Sequence, residues 1–398
     1  MPESVITNFI LLPELKLQRV ERLRKFQNLY HCKKDQKPEV CPRCATLSRT
    51  GYDTRVVVVE DAPIRGFGIR LRIQKRRMWC APCKKPFTEP IPGVMPRRRT
   101  TQRFRKSVAW AAENFSDLKR VQKAYKCSND FIYKALYEEL ELRRRMHNAY
   151  PFPTTLGIDE HHFRRVRGGS QFRPRQFVTM LVDYDNKKLF EVAEGKTSVE
   201  LKLQLNEKQG RENVKRAIID MSDTYKKFVR EYFPNAEITA DKFHVLRLIT
   251  PHINTARKNI TGDKRSNPVR RLLLRNSHNL QYFERSALHQ WLACFPEVKE
   301  LYSFKEKLHA FYRIHGYERA KRALTFITDD MSKSLLPEIQ SLRRTLMRWR
   351  TEILNYFKFR LTNARTEGYN NVAKVIKRRS YGFRNFQNYR LRLLNACC

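Results

Sequence analysis

The chain has 398 residues, with 81 Lys and Arg against 40 Asp and Glu, giving a formal net charge of +41 and a pI of about 10.2. That excess goes beyond what solubility requires and calls for a polyanionic partner, nucleic acid before others. No apolar run reaches membrane-spanning length, no lipidation motif is present, and Pro2, Glu3 and Ser4 stand where a basic leader would, so neither a transmembrane segment nor a signal peptide is expected.

The length allows roughly two to four domains. Residues 1–30 mix apolar and basic positions and are expected to form one helix or a strand–helix lead-in. Nine cysteines follow no disulfide pattern. Cys32, Cys127, Cys294, Cys397 and Cys398 are scattered, whereas Cys41-Pro42-Arg43-Cys44 and Cys80-Ala81-Pro82-Cys83 form two CxxC pairs. This usage suggests a reducing compartment and a metal site, hence a cytoplasmic protein associated with nucleic acid. Two thiolates three positions apart can chelate one ion from a tight turn, and two such pairs complete a tetrahedral Zn2+ site with no open position, so its role is structural. His31 and Cys32 are weaker substitutes. Between the pairs, residues 52–78 alternate apolar and basic positions, which predicts a hairpin. Residues 1–95 are therefore expected to be a zinc-ribbon DNA-binding domain.

From Arg65 to Lys106 there are 14 Lys or Arg and one acid, Glu89. The Pro-rich piece 86–96 reads as a linker. Arg97, Arg98 and Arg99 are candidates for phosphate or minor-groove contact, with a solvated linker as the plain alternative. Three helical patterns follow over 101–114, 116–125 and from 128 onward, with Ser116 and Ser128 as caps. Their lengths and the short break at 126–127 predict a helix-turn-helix domain over 96–150, whose recognition helix starts near Ser128 and Asn129 and presents Tyr133 and Lys134.

From Pro151 the period changes. Strands are expected at 154–160, 176–183 and 188–193, a helix opened by the Thr197-x-x-Glu200 capping box at 197–213, a strand at 217–220, a helix at 223–232 and a strand at 236–241. Three strands in succession, then helix, strand, helix, strand, is the order of an RNase H-like mixed sheet, in which the first and fourth strands lie side by side. Residues 245–355 read as an all-helical insertion, and 363–377 as a late helix carrying Asn363, Glu367, Asn370 and Lys374 on one face. Gly368 in that helix, unfavourable by about 1 kcal/mol against Ala, suggests a close approach to its backbone. The fold class is thus multidomain α+β: zinc ribbon, helix-turn-helix, and an RNase H-like catalytic domain split into 151–244 and 356–398 around the insertion 245–355.

Cleaving a phosphodiester needs an activated oxygen nucleophile and neutralisation of the leaving oxygen. Two divalent ions held by carboxylates on rigid elements supply both. Asp159 and Asp220 end apolar strands and Glu367 sits on the late helix. These three are the candidate catalytic residues and ligands for Mg2+ (or Mn2+), with Asp241 a rival for the second place. Glu160, Asp223 and His244 are candidates for supporting roles. Lys374, Lys377, Arg378 and Arg379, next to Tyr381 and Phe383, suit phosphates and exposed bases.

These residues resemble the bacterial DDE-type insertion-sequence transposases of the ISL-three group. The CxxC pairs before a helix-turn-helix, Gly157-Ile158-Asp159-Glu160, Ile219-Asp220-Met221-Ser222, Asp241-Lys242-Phe243-His244, Glu367-Gly368-Tyr369-Asn370 and Lys377-Arg378-Arg379-Ser380-Tyr381-Gly382-Phe383 carry the resemblance, which covers about residues 40–395. It implies an RNase H-like catalytic domain, a DDE triad at Asp159, Asp220 and Glu367, and binding to the element's terminal inverted repeats. It further implies metal-dependent strand cleavage and strand transfer without a covalent protein–DNA intermediate. Double-stranded DNA is the expected partner, and a homodimer or larger assembly the expected state, because two ends are processed together. The competing expectation is a non-catalytic, sequence-specific DNA-binding regulator derived from such a protein.

Overall fold

Residues 15–34 form a hairpin, in place of the one helix or strand–helix lead-in expected over 1–30: β1 (Leu15–Arg24) pairs antiparallel with β2 (Gln27–Lys34). The computed structural model describes residues 11–115, 117–147, 150–165, 175–262 and 268–397. The leader reading at residues 2–4, the Ser116 cap and Cys398 lie outside the described residues. The chain divides into two compact units, Met1–Met146 and His147–Cys398.

In the N-terminal unit, short strands β3 (Glu39–Val40) and β4 (Leu47–Ser48) flank the first CxxC pair. The long hairpin β5 (Gly51–Ile64) and β6 (Phe67–Cys80) follows, as the alternation requires. Its turn puts Arg65 and Gly66 both at positive φ, 48° and 80°, the geometry that suits the twist of paired antiparallel strands. β7 (Lys85–Thr88) adds to β6, so the sheet order is β1-β2-β6-β5 with β7 on β6. One face packs Cys32, Val59, Ile69, Leu71 and Ile73 against Leu11, Leu12, Leu15 and Ile91.

The piece 86–96 is therefore no linker. Phe87, Glu89 and Ile91 are buried, Glu89 accepts from the Arg76 guanidinium at 2.9 Å, and Lys34 donates to the Pro90 carbonyl at 2.9 Å. Prolines there fix the path of a packed segment. Asp61 receives both Arg103 and the Thr101 hydroxyl, which ties β5 to helix α1 (Gln102–Asn114), capped by Thr101. Helix α2 (Leu118–Tyr125) is capped by Asp117 and ends at Lys126 in the left-handed region. Helix α3 (Asn129–His147) starts under the Ser128 hydroxyl and extends further than its apolar pattern suggested.

The C-terminal unit is built on a mixed sheet of order β10-β9-β8-β11-β12. Here β8 is Thr155–Arg165, β9 Arg175–Asp183, β10 Lys188–Glu194, β11 Arg216–Ile219 and β12 Glu237–Ala240. β10, β9 and β8 form an antiparallel run, and β8, β11 and β12 are parallel. Helix α4 (Ser198–Leu205) crosses from β10 to β11, and α5 (Asp223–Tyr232) from β11 to β12. α4 is shorter than expected and ends before a one-turn 3-10 helix at Arg211–Asn213, after Gly210 at φ 81° breaks the pattern.

Both faces of this sheet are covered, which is why β11 reads as continuous Ala217-Ile218-Ile219 with no alternation. From β12 the chain enters helices α6 (Lys242–Arg247), α7 (Thr250–Thr261), α8 (Pro268–Leu274), α9 (Tyr282–Ala293), α10 (Pro296–Phe311), α11 (Tyr317–Ser332), α12 (Pro337–Arg348) and α13 (Arg350–Phe359). Their apolar stripes share one core with α4, α5 and the first sheet face, from Phe152 through Leu308 and Trp349 to Phe357. The opposite face packs Val178, Met180, Val182 and Val192 against α14 (Ala364–Arg379) and α15 (Phe386–Ala396) through Ala373, Ile376, Tyr389 and Leu393. The chain is thus a mixed α/β protein with an N-terminal sheet, a cysteine cluster and a large helical region.

Candidate active site and cysteine cluster

Strand register sets the site. Ile158 pairs with Ile219 across β8 and β11, and Ile219 with Ala240 across β11 and β12. Asp159, Asp220 and Asp241 each come one residue later, so they form one row across three parallel strands. Alternation turns all three to the face that α14 covers, the face Gly157 shares. β8 runs on to Arg165, because its antiparallel partner β9 continues beyond the parallel strands. Asp159 therefore lies within its strand and not at the end expected, while still marking where the parallel pairing stops.

The three aspartates, His244, Glu367, Asn370, Lys374 and Lys377 line one cleft of about 770 Å³. Helix α14 reaches it because the sheet has no side chain in the way. A Cβ on Gly157 would lie 2.4 Å from the Tyr184 ring and 2.7 Å from the Thr366 hydroxyl. Tyr184 in turn donates to the Thr362 carbonyl at 2.9 Å and meets Thr366 Oγ1 at 3.2 Å. One turn along, Asn370 donates to Asp159 Oδ2 at 2.9 Å. A Cβ on Gly368, by contrast, would meet nothing within 4 Å, so the close approach expected there is found at Gly157 instead.

The row differs in how its charges are met. Asp241 is buried and accepts from the backbone N–H of Asn363 at 2.9 Å through Oδ1. Through Oδ2 it meets His244 Nδ1 at 3.0 Å and caps α6. Asp220 accepts from one donor, the Ser222 N–H at 3.2 Å. Burial pushes the Asp159 carboxyl up to about 6, with the Asp220 charge adding to the rise against the pull of the Glu160 N–H. Burial also raises Asp220, opposed by His244. His244 is itself raised, first by its hydrogen bond to Asp241 and then by the charges of Asp220 and Asp159. Among the described residues, no Lys or Arg is ion-paired with Asp159 or Asp220. Two half-buried acids with neutral hydrogen-bond donors and one neighbouring imidazole, but no paired Lys or Arg among the described residues, form an environment that a cation would relieve. Nearby, burial brings the His161 imidazole down to about 4, helped by Lys377 and Lys374.

The four cysteines meet as expected. Among the described residues, Cys41, Cys44, Cys80 and Cys83 are the one set of three or more metal-ligating side chains whose donor atoms all lie within 4.8 Å of one another. Each turn places a non-glycine residue in the left-handed region, Ala45 at φ 57° and Lys84 at φ 48°. The Thr46 hydroxyl beside it pulls the Cys44 thiol down to about 6, and that sulfur pushes Cys83 up to about 12. Thiolates so close repel one another until a cation joins them, and four sulfur ligands fit Zn2+.

Of the sequence candidates for DNA contact among the described residues, Lys374 and Lys377 line the cleft and the rest do not. Arg98 pairs with Glu138 at 3.0 Å, and Arg97 sits in the left-handed region at φ 61°. Lys134 pairs with Asp130 at 3.0 Å, and exposed Tyr133 stacks on Tyr137. Lys374 donates to Asn371, and Lys377 to the His162 carbonyl at 2.6 Å. Arg378 and Arg379 close α14 just beyond the cleft.

Comparison with known proteins adds the family. A family model described as "Transposase", of the ISL3 type, matches residues 156–393, more than half of the chain. A second, described as the zinc-finger of transposase IS204/IS1001/IS1096/IS1165, matches residues 37–83. The chain belongs to the ISL3 group of DDE transposases. It is 24% identical over 381 residues to a transposase for insertion sequence element IS1001 from Bordetella parapertussis, covering 92% of this chain and 90% of the relative. It is 24% identical over 399 residues to a transposase for insertion sequence element IS1557 from Mycobacterium tuberculosis, covering 87% and 85%.

In this transposase the matched zinc-finger segment contains the whole cysteine cluster, which supports a structural Zn2+. No helix of the described residues is long and apolar enough to cross a membrane. Sequence reasoning missed the Gly157–Tyr184–Thr366 contact and the part Asp241 plays at Asn363. Gly157 inside an apolar strand was the available signal, since glycine there marks a close approach of other groups.

Proposed function

We propose that the chain binds the terminal inverted repeats of its insertion sequence and performs metal-dependent strand cleavage and strand transfer. Asp159, Asp220 and Glu367 are the triad. The observation that carries this reading is the single cleft lined by these three acids, two of them on neighbouring strands in register. The strand order, three antiparallel then two parallel with helices on both faces, supports an RNase H-like domain over 151–244 and 356–398 with the insertion 245–355. Residues 1–95 and 96–150 are read as the zinc-ribbon and helix-turn-helix DNA-binding domains.

Asp220 is preferred to Asp241 on the donors each one meets. Asp241 satisfies three N–H groups and is buried, whereas Asp220 answers to one. Mg2+ or Mn2+ held by the triad would lower the pKa of the attacking water or hydroxyl and neutralise the leaving oxygen. The chain's own residues do the rest. Asn370 orients Asp159, Tyr184 and Thr366 fix the start of the helix bearing Glu367, and Lys374 and Lys377 offer charge to the phosphates. Arg97, Arg98, Arg99, Ser128, Asn129, Tyr133, Lys134, Arg378 and Arg379 extend the DNA contact, and two ends processed together require a homodimer or larger assembly.

The test is cleavage of duplexes carrying the element's ends, in Mg2+ or Mn2+, by Asp159→Ala, Asp220→Ala, Asp241→Ala and Glu367→Ala. Loss is expected for the first, second and fourth without loss of DNA binding. Full activity in any of those three removes that residue from the triad.

A further inference from the structure

Among the described residues lining the cleft, Phe243 alone carries a purely hydrocarbon aromatic ring. It is 43% exposed, although it sits in α6 two residues before Val245, which the core encloses. Packing gives no reason for a large apolar ring at that position. Its neighbours hold it in place. The Arg247 guanidinium lies 4.0 Å from the ring centroid, and the His244 ring stands nearly perpendicular to it at 6.4 Å. A ring backed by a cation and presented to a cleft between carboxylates and lysines suits one ligand chemistry, the flat face of a nucleobase on a strand whose phosphates the cations meet.

An intact duplex hides its base faces in the stack, so such a ring can be used only by a base that has left it. We propose that Phe243 is a stacking platform for a nucleobase unpaired beside the cleaved phosphodiester, locked from one side by Arg247. This inference rests on reading the cleft as the site of DNA cleavage. It adds that the enzyme works on a locally opened end and holds one base out while the bond is cut.

The experiment uses the full chain with Phe243→Ala, Phe243→Leu and Phe243→Trp. The probe is a duplex carrying the element's terminal sequence, with 2-aminopurine placed in turn at the nucleotides flanking the cleaved bond. Fluorescence of the bound complexes is read without added Mg2+ or Mn2+ and without chelator, so that no turnover occurs and the cysteine cluster keeps its ion. One probe position is expected to be quenched with wild type and Phe243→Trp and to brighten with Phe243→Ala and Phe243→Leu. Cleavage in Mg2+ is expected to fall by about 5- to 100-fold for Ala and Leu and to stay near wild type for Trp. An abasic site at that position should slow the wild type while leaving Phe243→Ala no slower, as two partners of one interaction require. Equal fluorescence and cleavage in all four proteins, or Leu performing as well as Trp, overturns the stacking role. If Asp159→Ala cleaves like wild type, the carboxylate reading falls, while the fluorescence comparison, made without turnover, still decides for or against stacking.

Discussion

Asp61 in the N-terminal unit is buried, Asp159 in the C-terminal unit is half-buried, both lie on long strands, and their surroundings are opposite. Asp61, 1% exposed, takes the Arg103 guanidinium and the Thr101 hydroxyl. Glu89 takes Arg76, and Lys34 is matched by Glu39. In the cleft, Asp159 and Asp220 face each other with an imidazole nearby, and burial lifts both carboxyls. Enclosed charges that are answered inside the chain hold elements together. Half-buried carboxylates crowded together without a paired Lys or Arg mark where something from outside binds.

The largest effect that can sharpen this contrast comes from the cysteine cluster. Stripping Zn2+ with a chelator, or Cys80→Ser, removes ion binding of about 10 kcal/mol that is also folding energy. Circular dichroism and limited proteolysis are expected to show the N-terminal unit loosening around Met78 and Phe87, which pack with Cys41 and Cys80. An unchanged digestion pattern would mean that the cluster is a bystander.

Next comes the acid whose charge is answered. Asp61→Ala removes the buried carboxylate that Arg103 and Thr101 share and is expected to destabilise by about 3–5 kcal/mol in denaturant unfolding. Gly157→Ala is expected to cost about 1–3 kcal/mol, since the new methyl would lie 2.4 Å from the Tyr184 ring. It should also slow cleavage by displacing the helix that carries Glu367, and a neutral outcome in both assays would show that α14 adjusts freely.

Asp159→Asn should act in the opposite direction to Asp61→Ala. With its folded pKa at about 6, above the ordinary 3.8, Asp159 contributes stability when protonated, and that contribution is lost as pH rises through about 6. The Asn variant is therefore expected to be more stable than wild type by about 1–3 kcal/mol at pH 7–8, with the gap closing below about pH 4. Added Mg2+ should stabilise the wild type alone. Thermal unfolding against pH checks both, and a variant less stable than wild type at pH 8 would break the contrast. The smallest expected effect is at the surface. Lys134→Ala breaks an exposed pair with Asp130, so stability should move by less than about 0.5 kcal/mol. If Lys134 meets a phosphate, the slope of log affinity against log salt should fall by about 1.

How much of this was legible in the sequence depends on whether a signal is local. The CxxC pairs, the alternation of the 52–78 hairpin and the Thr197–Glu200 capping box each act within a few residues, and each appears at its expected place. The row of aspartates was also readable, because apolar runs ending in Asp recur at 158–159, 219–220 and 240–241. Longer-range matters were not. The extent of β8 depends on β9, so Asp159 looked terminal while lying mid-strand. The prolines of 86–96 suggested a free segment because the partners that bury it, Lys34 and Arg76, are distant in sequence. Gly368 drew attention in a helix, where glycine is conspicuous, while Gly157 in a strand held the tighter contact.

Asp241 has one further consequence. Its carboxylate caps α6, where the chain leaves the sheet, and receives the Asn363 N–H, where the chain returns, 122 positions later. One carboxylate thus ties the long helical excursion to the scaffold both where it leaves the sheet and where it returns. Lineages of such enzymes could lengthen, shorten or exchange that excursion, and alter what it touches, while the chemistry beneath keeps its spacing.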